Sequence, residues 1–239
     1  MPSDADVLGW RWRLTSPGPS ILETVAFAET ARASAMAMGR ATGVRRFPDS
    51  FHRSGSDEHT HAYWLPEDED HDGVIDNLLV YCDVGIADAW IANFAQLRFV
   101  HFRGRKIGLA PRWMGREASG ALFGPSARWL SATPYVTPRH RLTKTGKTRE
   151  DETRENQLLG ELRDMRFSIP EAMAWHDHRW CEGGVLLACD FLTRRETGKP
   201  PPGDAEIAFL ELTFNAPVMG PLAFGYGSHF GLGQMWPVS

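Results

Sequence analysis

Residues 59–81 read HTHAYWLPEDEDHDGVIDNLLVY, and this stretch decides the fold that we predict. Two segments of it, residues 59–65 and 74–81, have the alternating or apolar character of β-strands. The strongly acidic residues between them have the composition of a turn. The stretch therefore predicts an antiparallel β-hairpin.

The segments on both sides of this hairpin predict one helix and one strand each. Upstream, Ser20 and Glu23 have the spacing of a capping box, and an Ala/Met-rich run with strong helix propensity follows them. The predicted elements are a strand at residues 10–14, a helix at 24–38, a helix at 87–99 and a strand at 106–113. Their order, strand–helix–strand–strand–helix–strand, is that of the ferredoxin-like fold.

The second half of the chain repeats this order more loosely. It predicts a strand at residues 129–136, a helix at 148–165 and strands at 172–180, 185–191 and 206–214. No second helix is evident in this half. We therefore expect an α+β fold of two tandem ferredoxin-like (RRM-like) domains, residues 1–120 and 121–239, with a glycine-rich loop near the C-terminus.

The composition is that of a folded protein with no membrane-spanning segment. The chain has 239 residues, of which 42% are hydrophobic, and a formal net charge of −4. No run approaches the ~18 apolar residues of a membrane span, and no signal peptide is visible. The three cysteines form no CxxC pair, which suits a reducing compartment. We therefore expect a cytoplasmic protein with no membrane partner.

The net charge conceals two segments of opposite sign. Residues 57–97 carry a net charge of −10, whereas residues 98–149 carry +11. A basic run of this size predicts a polyanionic partner such as nucleic acid, and the alternative is a solvated basic face balanced by the acidic segment. Aromatic residues that could stack on bases are interspersed through the basic run: Phe99, Phe102, Trp113, Phe123, Trp129 and Tyr135.

Two patterns are similar to metal-binding motifs without completing one. Residues 68–76, DEDHDGVID, match several positions of a calcium loop, but the twelfth position is Leu79 and the flanks predict strands. We favour an acidic hairpin turn here. His176, His178 and Cys181 have a spacing that could ligate zinc, but no fourth ligand accompanies them. We therefore expect neither a metal nor a cofactor.

The segment GYGSHFGLG near the C-terminus is rich in glycine: Gly225, Gly227, Gly231 and Gly233. It lacks the third glycine of a dinucleotide-binding fingerprint, because that position is Phe230, and no Gly-Lys-Ser/Thr of a P-loop follows. Two interpretations stay open. Either the loop brings its backbone close to a phosphate–sugar chain, or it is a tight turn or bulge in the final hairpin.

His59 and His61 are two positions apart at the head of a predicted strand, so their side chains would project to the same side. A histidine has a near-neutral pKa, and two neighbouring histidines could divide the roles of general base and general acid. A structural hydrogen-bonding role is the alternative.

Three blocks of the sequence resemble one protein family. Residues 59–81 resemble a motif of the RNA-processing subunit of type I-U (I-G) CRISPR systems, in which His-x-His is followed by LP, an acidic DxDxDG turn and an ID-x-LLVY strand. Residues 122–141, LFGPSARWLSATPYVTPRHR, resemble its FGPS…W-x-SATP[FY]V-x-PRH segment. Residues 220–233, GPLAFGYGSHFGLG, resemble its glycine-rich C-terminal signature. The family belongs to the RAMP superfamily.

The resemblance implies an endoribonuclease that needs no metal and cleaves precursor CRISPR RNA within its repeats. The 2′-hydroxyl would attack the phosphate and leave a 2′,3′-cyclic phosphate. His61, His59 and His229 would carry protons. The residues expected to contact RNA are Arg128, Arg139, His140, Arg141, Lys144 and Lys147, with the loop glycines Gly225, Gly227, Gly231 and Gly233.

The resemblance also implies binding partners, and two alternative functions stay open beside it. The RNA partner would be CRISPR repeat RNA, both precursor and mature, and other subunits of a type I effector complex would be further partners. Members commonly carry an extra N-terminal half related to the backbone subunit, so we expect this chain to correspond to the processing half. The alternatives are a catalytically inert RNA-binding subunit of such a complex and a calcium-dependent module built on the acidic turn.

Overall fold

The computed structural model describes residues 7–44, 62–83, 85–115, 122–196 and 198–238. The chain divides into two compact units, Met1–Ala118 and Ser119–Ser239. Each unit combines an antiparallel sheet with helices, which confirms the predicted α+β class. None of the helices in the described ranges is long and apolar enough to cross a membrane.

The first unit has the strand order of a ferredoxin-like fold with one additional strand. Its elements are β1 (Gly9–Leu14), α1 (Thr24–Ala41), β2 (Tyr63–Glu67), β3 (Asn77–Tyr81), α2 (Asp88–Gln96), β4 (Phe99–Phe102) and β5 (Arg105–Gly115). The sheet order is β2-β3-β1-β5-β4, and every neighbouring pair is antiparallel. The predicted topology is confirmed, since β2, β3, β1 and β5 follow it and β4 adds an edge.

The start of α1 differs from the predicted capping box. Ser20 accepts a hydrogen bond from Leu22 N–H (3.3 Å) and so caps a short 3-10 turn that precedes the helix. Glu23 forms an ion pair with Arg103 (2.7 Å), which lies on the turn between β4 and β5. Glu23 thereby connects the start of the helix to the edge of the sheet.

Alternate residues of β1 face opposite sides of the sheet. Trp10 and Trp12 are buried on the side of the helices, where the Trp12 ring meets Phe94 of α2 at a centroid distance of 5.2 Å. Phe27 of α1 packs edge-on against Phe102 of β4 at 5.6 Å. These aromatic contacts hold both helices on one face of the sheet.

The opposite face of the sheet, which carries no helix, contains a buried ion pair. Arg11 Nη2 lies 2.7 Å from Glu67 Oε1, and each side chain is only 6% exposed. Burial raises the pKa of Glu67 to about 7, although the Arg11 guanidinium beside it acts to lower it. A buried charge is tolerated only with its partner, so the pair holds the end of β2 in place across β3.

The second unit repeats the fold without its second helix. Its elements are β6 (Ser126–Ser131), β7 (Tyr135–Val136), α3 (Arg154–Asp164), β8 (Ala172–His176), β9 (His178–Cys181), β10 (Gly184–Leu187), β11 (Ile207–Val218) and β12 (Met235–Val238). The sheet order is β12-β6-β11, and both β7 and β8 pair with the other edge of β11. The glycine-rich loop joins β11 to β12, and this connection, which is described throughout, contains no α-helix.

Two predicted strands of the second unit are interrupted. The predicted strand at residues 129–136 is observed as β6 and β7, and the one at 172–180 is observed as β8 and β9, which separate at Asp177. β9 and β10 form a separate two-stranded ribbon. In the core of the unit, Leu158 and Leu162 of α3 are buried.

We expect Arg11→Ala to lower the free energy of unfolding by about 3–5 kcal/mol at pH 8, because Glu67 loses its buried counter-charge. The loss should be smaller at pH 5, where Glu67 takes up a proton instead of staying ionised. Urea denaturation followed by circular dichroism measures both values. Arg13→Ala, on the same strand but exposed, should change stability by less than about 0.5 kcal/mol. An equal loss at both pH values would contradict this account of Glu67.

Candidate nucleic-acid interface

The basic loop, which we define as residues 138–149, leaves β7 and leads toward α3. Its tip is a short hairpin in which Thr143 N–H donates to the Lys147 carbonyl (2.8 Å). Gly146 has a φ of 80°, a backbone conformation that closes this turn. The turn presents Lys144 and Lys147 at its surface.

The base of the basic loop is held by protein contacts. The Asp204 carboxylate accepts a hydrogen bond from Leu142 N–H and lies beside His140 Nδ1, both at 2.7 Å. The Leu142 amide, followed by the His140 ring, lowers the pKa of Asp204 to about 2. Arg141 forms an ion pair with Glu206 at 2.5 Å. The path of the loop is therefore fixed through His140 and Arg141.

Two further arginines that were predicted to contact RNA are paired with carboxylates. Arg139 Nε lies 2.8 Å from Glu152 Oε2, and Arg128 Nε lies 2.6 Å from Glu211 Oε1. Their side chains nevertheless remain 49% and 53% exposed, respectively. A guanidinium group has five N–H donors, so each arginine retains donors that can reach a phosphate.

Lys144, Lys147 and Arg149 are the cations of the basic loop whose charge is not neutralised. All three are exposed, and their side chains form no ion pair or hydrogen bond with any residue that the structure describes. Arg149 was not among the predicted RNA contacts, although it belongs to the same basic run. Arg149 differs from the paired arginines in having no carboxylate partner among the described residues, and such pairing cannot be read from residue type.

The glycine-rich loop is closely packed. All four of its glycines have a positive φ, between 59° and 87°. A Cβ on Gly225 would lie 2.6 Å from the Val136 carbonyl oxygen, and one on Gly233 would lie 1.9 Å from that of Phe224. Both the backbone angle and the available space therefore require glycine at these two positions.

Backbone amides of this loop are used within the unit. Gly225 N–H donates to Glu161 Oε2 (2.6 Å), and Gly233 N–H donates to the Pro134 carbonyl (2.9 Å). Gly231 N–H donates to a carbonyl of the loop itself (3.2 Å). These three glycines thus shape the loop, and their N–H groups already donate hydrogen bonds within the protein.

His229 lies within the glycine-rich loop on a single 3-10 turn, Ser228–Phe230. Gly227 and Gly231 bound this turn, both with left-handed backbone. The two neighbours of His229 in the turn are buried, whereas His229 itself is half-buried. Part of the histidine side chain is therefore accessible from solvent.

α3 holds the two loops from one side. Gln157 and Glu161 are four positions apart and so lie on the same face of the helix. The fully buried Gln157 side chain accepts from Arg139 N–H (3.0 Å) and donates to the Arg139 carbonyl (3.1 Å), at the start of the basic loop. Glu161 accepts from Gly225 N–H (2.6 Å) and from the Tyr135 hydroxyl (3.2 Å). One helix thus anchors both the basic loop and the glycine-rich loop.

Burial brings the titration of Glu161 close to neutral pH. Burial raises its pKa to about 7, although the Gly225 amide and the Tyr135 hydroxyl, which donate to the carboxylate, act to lower it. Burial, followed by the neighbouring Glu161 carboxylate, raises the pKa of Tyr135. The sequence offered no motif for Glu161, and Tyr135 was noted only as one aromatic residue of the basic run.

His59 and His61 lie outside the described residues. The predicted strand at residues 59–65 is described only from residue 62 onward, and β2 begins at Tyr63. Among the predicted proton carriers, His229 is therefore the one that the structure places.

The acidic segment between β2 and β3 is a hairpin turn, as predicted. Its carboxylates accept from its own backbone: Gly73 N–H donates to Asp68 (3.2 Å), and Glu69 N–H donates to Asp76 (2.8 Å). Carboxylate oxygens of Asp68, Asp70 and Asp76 lie within 4.8 Å of one another. In the described part of the chain, no other group brings three potential metal ligands this close.

The histidines and the cysteine with zinc-like spacing contact other groups. His176 lies 3.9 Å from Glu211, and His178 lies 2.5 Å from Asp177. Cys181 donates a weak hydrogen bond to the Gly184 carbonyl (3.3 Å). Among the described residues, these histidines and the cysteine do not come together as a set of metal ligands.

Comparison with known proteins finds distant structural similarities. No family model matches the chain, and no curated protein matches it. A solved RAMP protein, described as binding different RNA substrates, is 10% identical with a TM-score of 0.43, over 98% of this chain and 100% of that chain. A CRISPR-associated protein Cas6 is 8% identical with a TM-score of 0.45, over 98% of this chain and 99% of that one. The product of a Cas6-related gene from Pyrococcus furiosus is 10% identical with a TM-score of 0.43, over 97% and 98%.

The raised pKa of Glu161 predicts that stability depends on pH. The folded protein holds this proton more tightly (pKa about 7) than the unfolded chain does (4.5), so the folded state binds more protons in this range. The free energy of unfolding should therefore fall as the pH rises from about 4.5 to 7.

Glu161→Gln retains the shape of the side chain but does not titrate, so it should remove about 2–3 kcal/mol of this fall. Urea denaturation at a series of pH values between 4.5 and 8 measures the difference from the wild type. Glu171→Gln, which removes an exposed carboxylate of the same unit, is the control and should keep the wild-type pH dependence. Identical pH profiles for Glu161→Gln and the wild type would refute the raised pKa of Glu161.

Proposed function

We propose that this protein binds CRISPR repeat RNA and cleaves the precursor transcript without a metal ion. The observation that carries this proposal is the arrangement around α3. Gln157 fixes the start of the basic loop and Glu161 fixes the glycine-rich loop, so one helix anchors exposed cations and a histidine-bearing loop. The basic loop begins in the second block that resembles the CRISPR RNA-processing family, residues 122–141, and the glycine-rich loop lies in the third, residues 220–233.

The basic loop binds the RNA backbone in this proposal. Lys144, Lys147 and Arg149 are exposed, and no ion pair with a described residue neutralises them. Phosphate contacts from such side chains provide affinity and orientation independently of base sequence. Arg128 and Arg139 are half-exposed and supplement these contacts with their remaining donors.

The proposed reaction is an internal transfer at phosphorus. A general base removes the proton of the 2′-hydroxyl upstream of the scissile phosphate, and the 2′-oxygen forms a bond to phosphorus. The bond from phosphorus to the 5′-oxygen breaks, and a general acid supplies a proton to that oxygen. The products are a 2′,3′-cyclic phosphate and a 5′-hydroxyl. We assign the base to His61 or His59, and we assign His229 as a second proton carrier.

The charge that develops on the phosphorane oxygens requires donors that are positioned before the reaction. Arg139 meets this requirement because its backbone is fixed to Gln157 through two hydrogen bonds. Its guanidinium group is held by Glu152 but stays half-exposed. We therefore assign Arg139 to the phosphate, with Lys144 of the same loop as a further phosphate contact.

The cellular setting of the proposal is the cytoplasm, where other subunits of a type I effector complex are further partners. Retention of the cleaved RNA in such a complex would use the same basic loop. A catalytically inert RNA-binding subunit would use it as well, so binding alone does not distinguish the two functions. Only cleavage of the RNA distinguishes the enzyme from the inert subunit.

We expect the protein to cleave its repeat hairpin RNA in excess EDTA and to leave a 2′,3′-cyclic phosphate, identified by mass spectrometry of the product. Loss of an essential proton carrier in His61→Ala, His59→Ala or His229→Ala should slow cleavage by about 10²–10⁴-fold, with RNA binding retained. His176→Ala removes an exposed histidine elsewhere in the second unit and is the control. Tight binding of RNA that stays intact would favour the inert subunit and reject the enzyme.

We expect the affinity for repeat RNA to fall with salt through contacts of the basic loop. Lys144→Ala and Lys147→Ala should each reduce the slope of log K against log salt by about 0.7–0.9, because each lysine neutralises one phosphate. Fluorescence anisotropy over a range of salt concentrations measures the slope. Arg163→Ala, an exposed cation of α3 outside the loop, should leave it unchanged. Equal slopes for all of these variants would place the phosphate contacts elsewhere.

A further inference from the structure

One face of the β4–β5 hairpin in the first unit is exposed, aromatic and basic. Phe99, His101 and Lys106 alternate with buried residues along the two strands, so they share the face of the sheet that carries no helix. Phe99 is 39% exposed, whereas Phe102, which belongs to the same basic run, is buried. We define the platform as Phe99, His101, Lys106 and Arg13.

Arg13 shares this face because it lies opposite Ala110 of β5. Phe99 lies opposite Gly108, which precedes Ala110 by two positions on the same side of β5. Between the ring and the arginine, the Thr15 side chain fills the space over Gly108, because a Cβ on Gly108 would lie 2.2 Å from Thr15 Oγ1. The Thr15 hydroxyl thus lies between the Phe99 ring and Arg13 on this face.

Exposed cations lie on the platform and beside it. Arg13 and the neighbouring Arg98 are exposed and form no ion pair in the part of the chain that the structure describes. The carboxylates at the end of β2 are already paired, Glu67 with Arg11 and Glu69 with another arginine of the sheet. The acidic turn adjoins the Arg13 end of the platform, since Leu14 N–H donates to the Asp76 carbonyl (2.7 Å). The positive charge that favours a polyanion therefore lies at Lys106, Arg98 and Arg13.

The surroundings of the platform differ from those of Trp180 of β9, which is also a strongly exposed aromatic residue. Trp180 is 75% exposed and lies opposite Val185 on the ribbon. The sequence around it contains the exposed acids Asp177 and Glu182. An exposed ring with acidic neighbours does not attract a phosphate backbone, so charge distinguishes the two surfaces.

The contacts of the Phe99 ring are compatible with an incoming base. Lys106 Nζ lies 4.1 Å from the ring centroid, and the His101 ring packs edge-on at 5.2 Å. A cation over an exposed ring contributes less binding energy than a stacked base does. A base can therefore replace the ammonium group over the ring, and the flexible lysine side chain can then move to a phosphate.

We propose that the platform binds a single-stranded segment of RNA, with one base stacked on Phe99 and the adjoining phosphates at Lys106 and Arg13. The platform contains none of the residues that we assign to cleavage. It is therefore a binding surface in addition to the basic loop. The choice of RNA as the ligand rests on the proposed function, whereas stacking and phosphate contact rest on the platform alone.

The test measures binding of the full chain to fluorescein-labelled decamers of uridine and of thymidine by anisotropy. We expect the wild type to bind both at low salt, because stacking and phosphate contacts do not need a 2′-hydroxyl. Phe99→Ala should weaken binding about tenfold, and Phe99→Trp should restore it, because it retains a ring. Arg13→Ala should reduce the salt slope by about 0.7, the value for one phosphate of a single strand.

Arg40→Ala is the matched control, because it removes an exposed arginine from α1 of the same unit but in the layer of helices. It should leave both the affinity and the salt slope close to those of the wild type. Equal binding by Phe99→Ala, Phe99→Trp and the wild type would overturn the proposal, as would a wild type that binds neither decamer. Failure to cleave the repeat hairpin, with these decamer results intact, would contradict only the proposed function.

Discussion

The second unit depends on the buried amide group of Gln157. Its oxygen and nitrogen both bond to the backbone of Arg139, and the nitrogen also donates to the Glu152 carbonyl (3.0 Å). An amide that is buried without such partners costs about 1–3 kcal/mol, so the chain is held at this point of its path. The basic loop begins there, and one helical turn further along α3 Glu161 holds the glycine-rich loop. The spacing of four residues on one helix thus couples two loops that are about 80 positions apart in sequence.

The basic run of the sequence serves two different surfaces. Its cations between residues 98 and 112 lie on or next to the β4–β5 hairpin of the first unit, whereas those after residue 137 lie in the basic loop of the second. On each surface some cations are already neutralised by an ion pair within the protein. Arg103 is paired with Glu23, and Arg141 is paired with Glu206. Net charge therefore overstates the number of cations that are available to a ligand. The exposed, unneutralised ones in each unit determine where a polyanion can bind.

Periodicity and turn composition predicted the ferredoxin-like order of the first unit and its looser repeat in the second, because the helices and most strands bury one face in the core of their own unit. Periodicity missed β4, because the apolar pattern of α2 continues beyond Gln96 into a strand that starts at Phe99. It also missed the break at Asp177, where one predicted strand is observed as two. The site was harder to predict than the fold. Glu161 matters because it is buried beside Gly225, a contact between residues far apart in sequence, and no local pattern reports it.

The absence of the second helix explains why the second unit needs its glycines. In the first unit, α2 lies between β3 and the final hairpin and covers the sheet with aromatic side chains. In the second unit, a non-helical connection must cover the sheet instead, and it does so with Leu222, Phe224 and Leu232, all buried. A buried connection without helical hydrogen bonds must satisfy its backbone groups individually. Thr133 Oγ1 donates to the Gly231 carbonyl (2.5 Å), and Glu161 accepts from the Gly225 amide. The left-handed glycines make these close approaches possible, and the same geometry leaves a histidine partly accessible at a place where an ordinary ferredoxin-like unit has a helix.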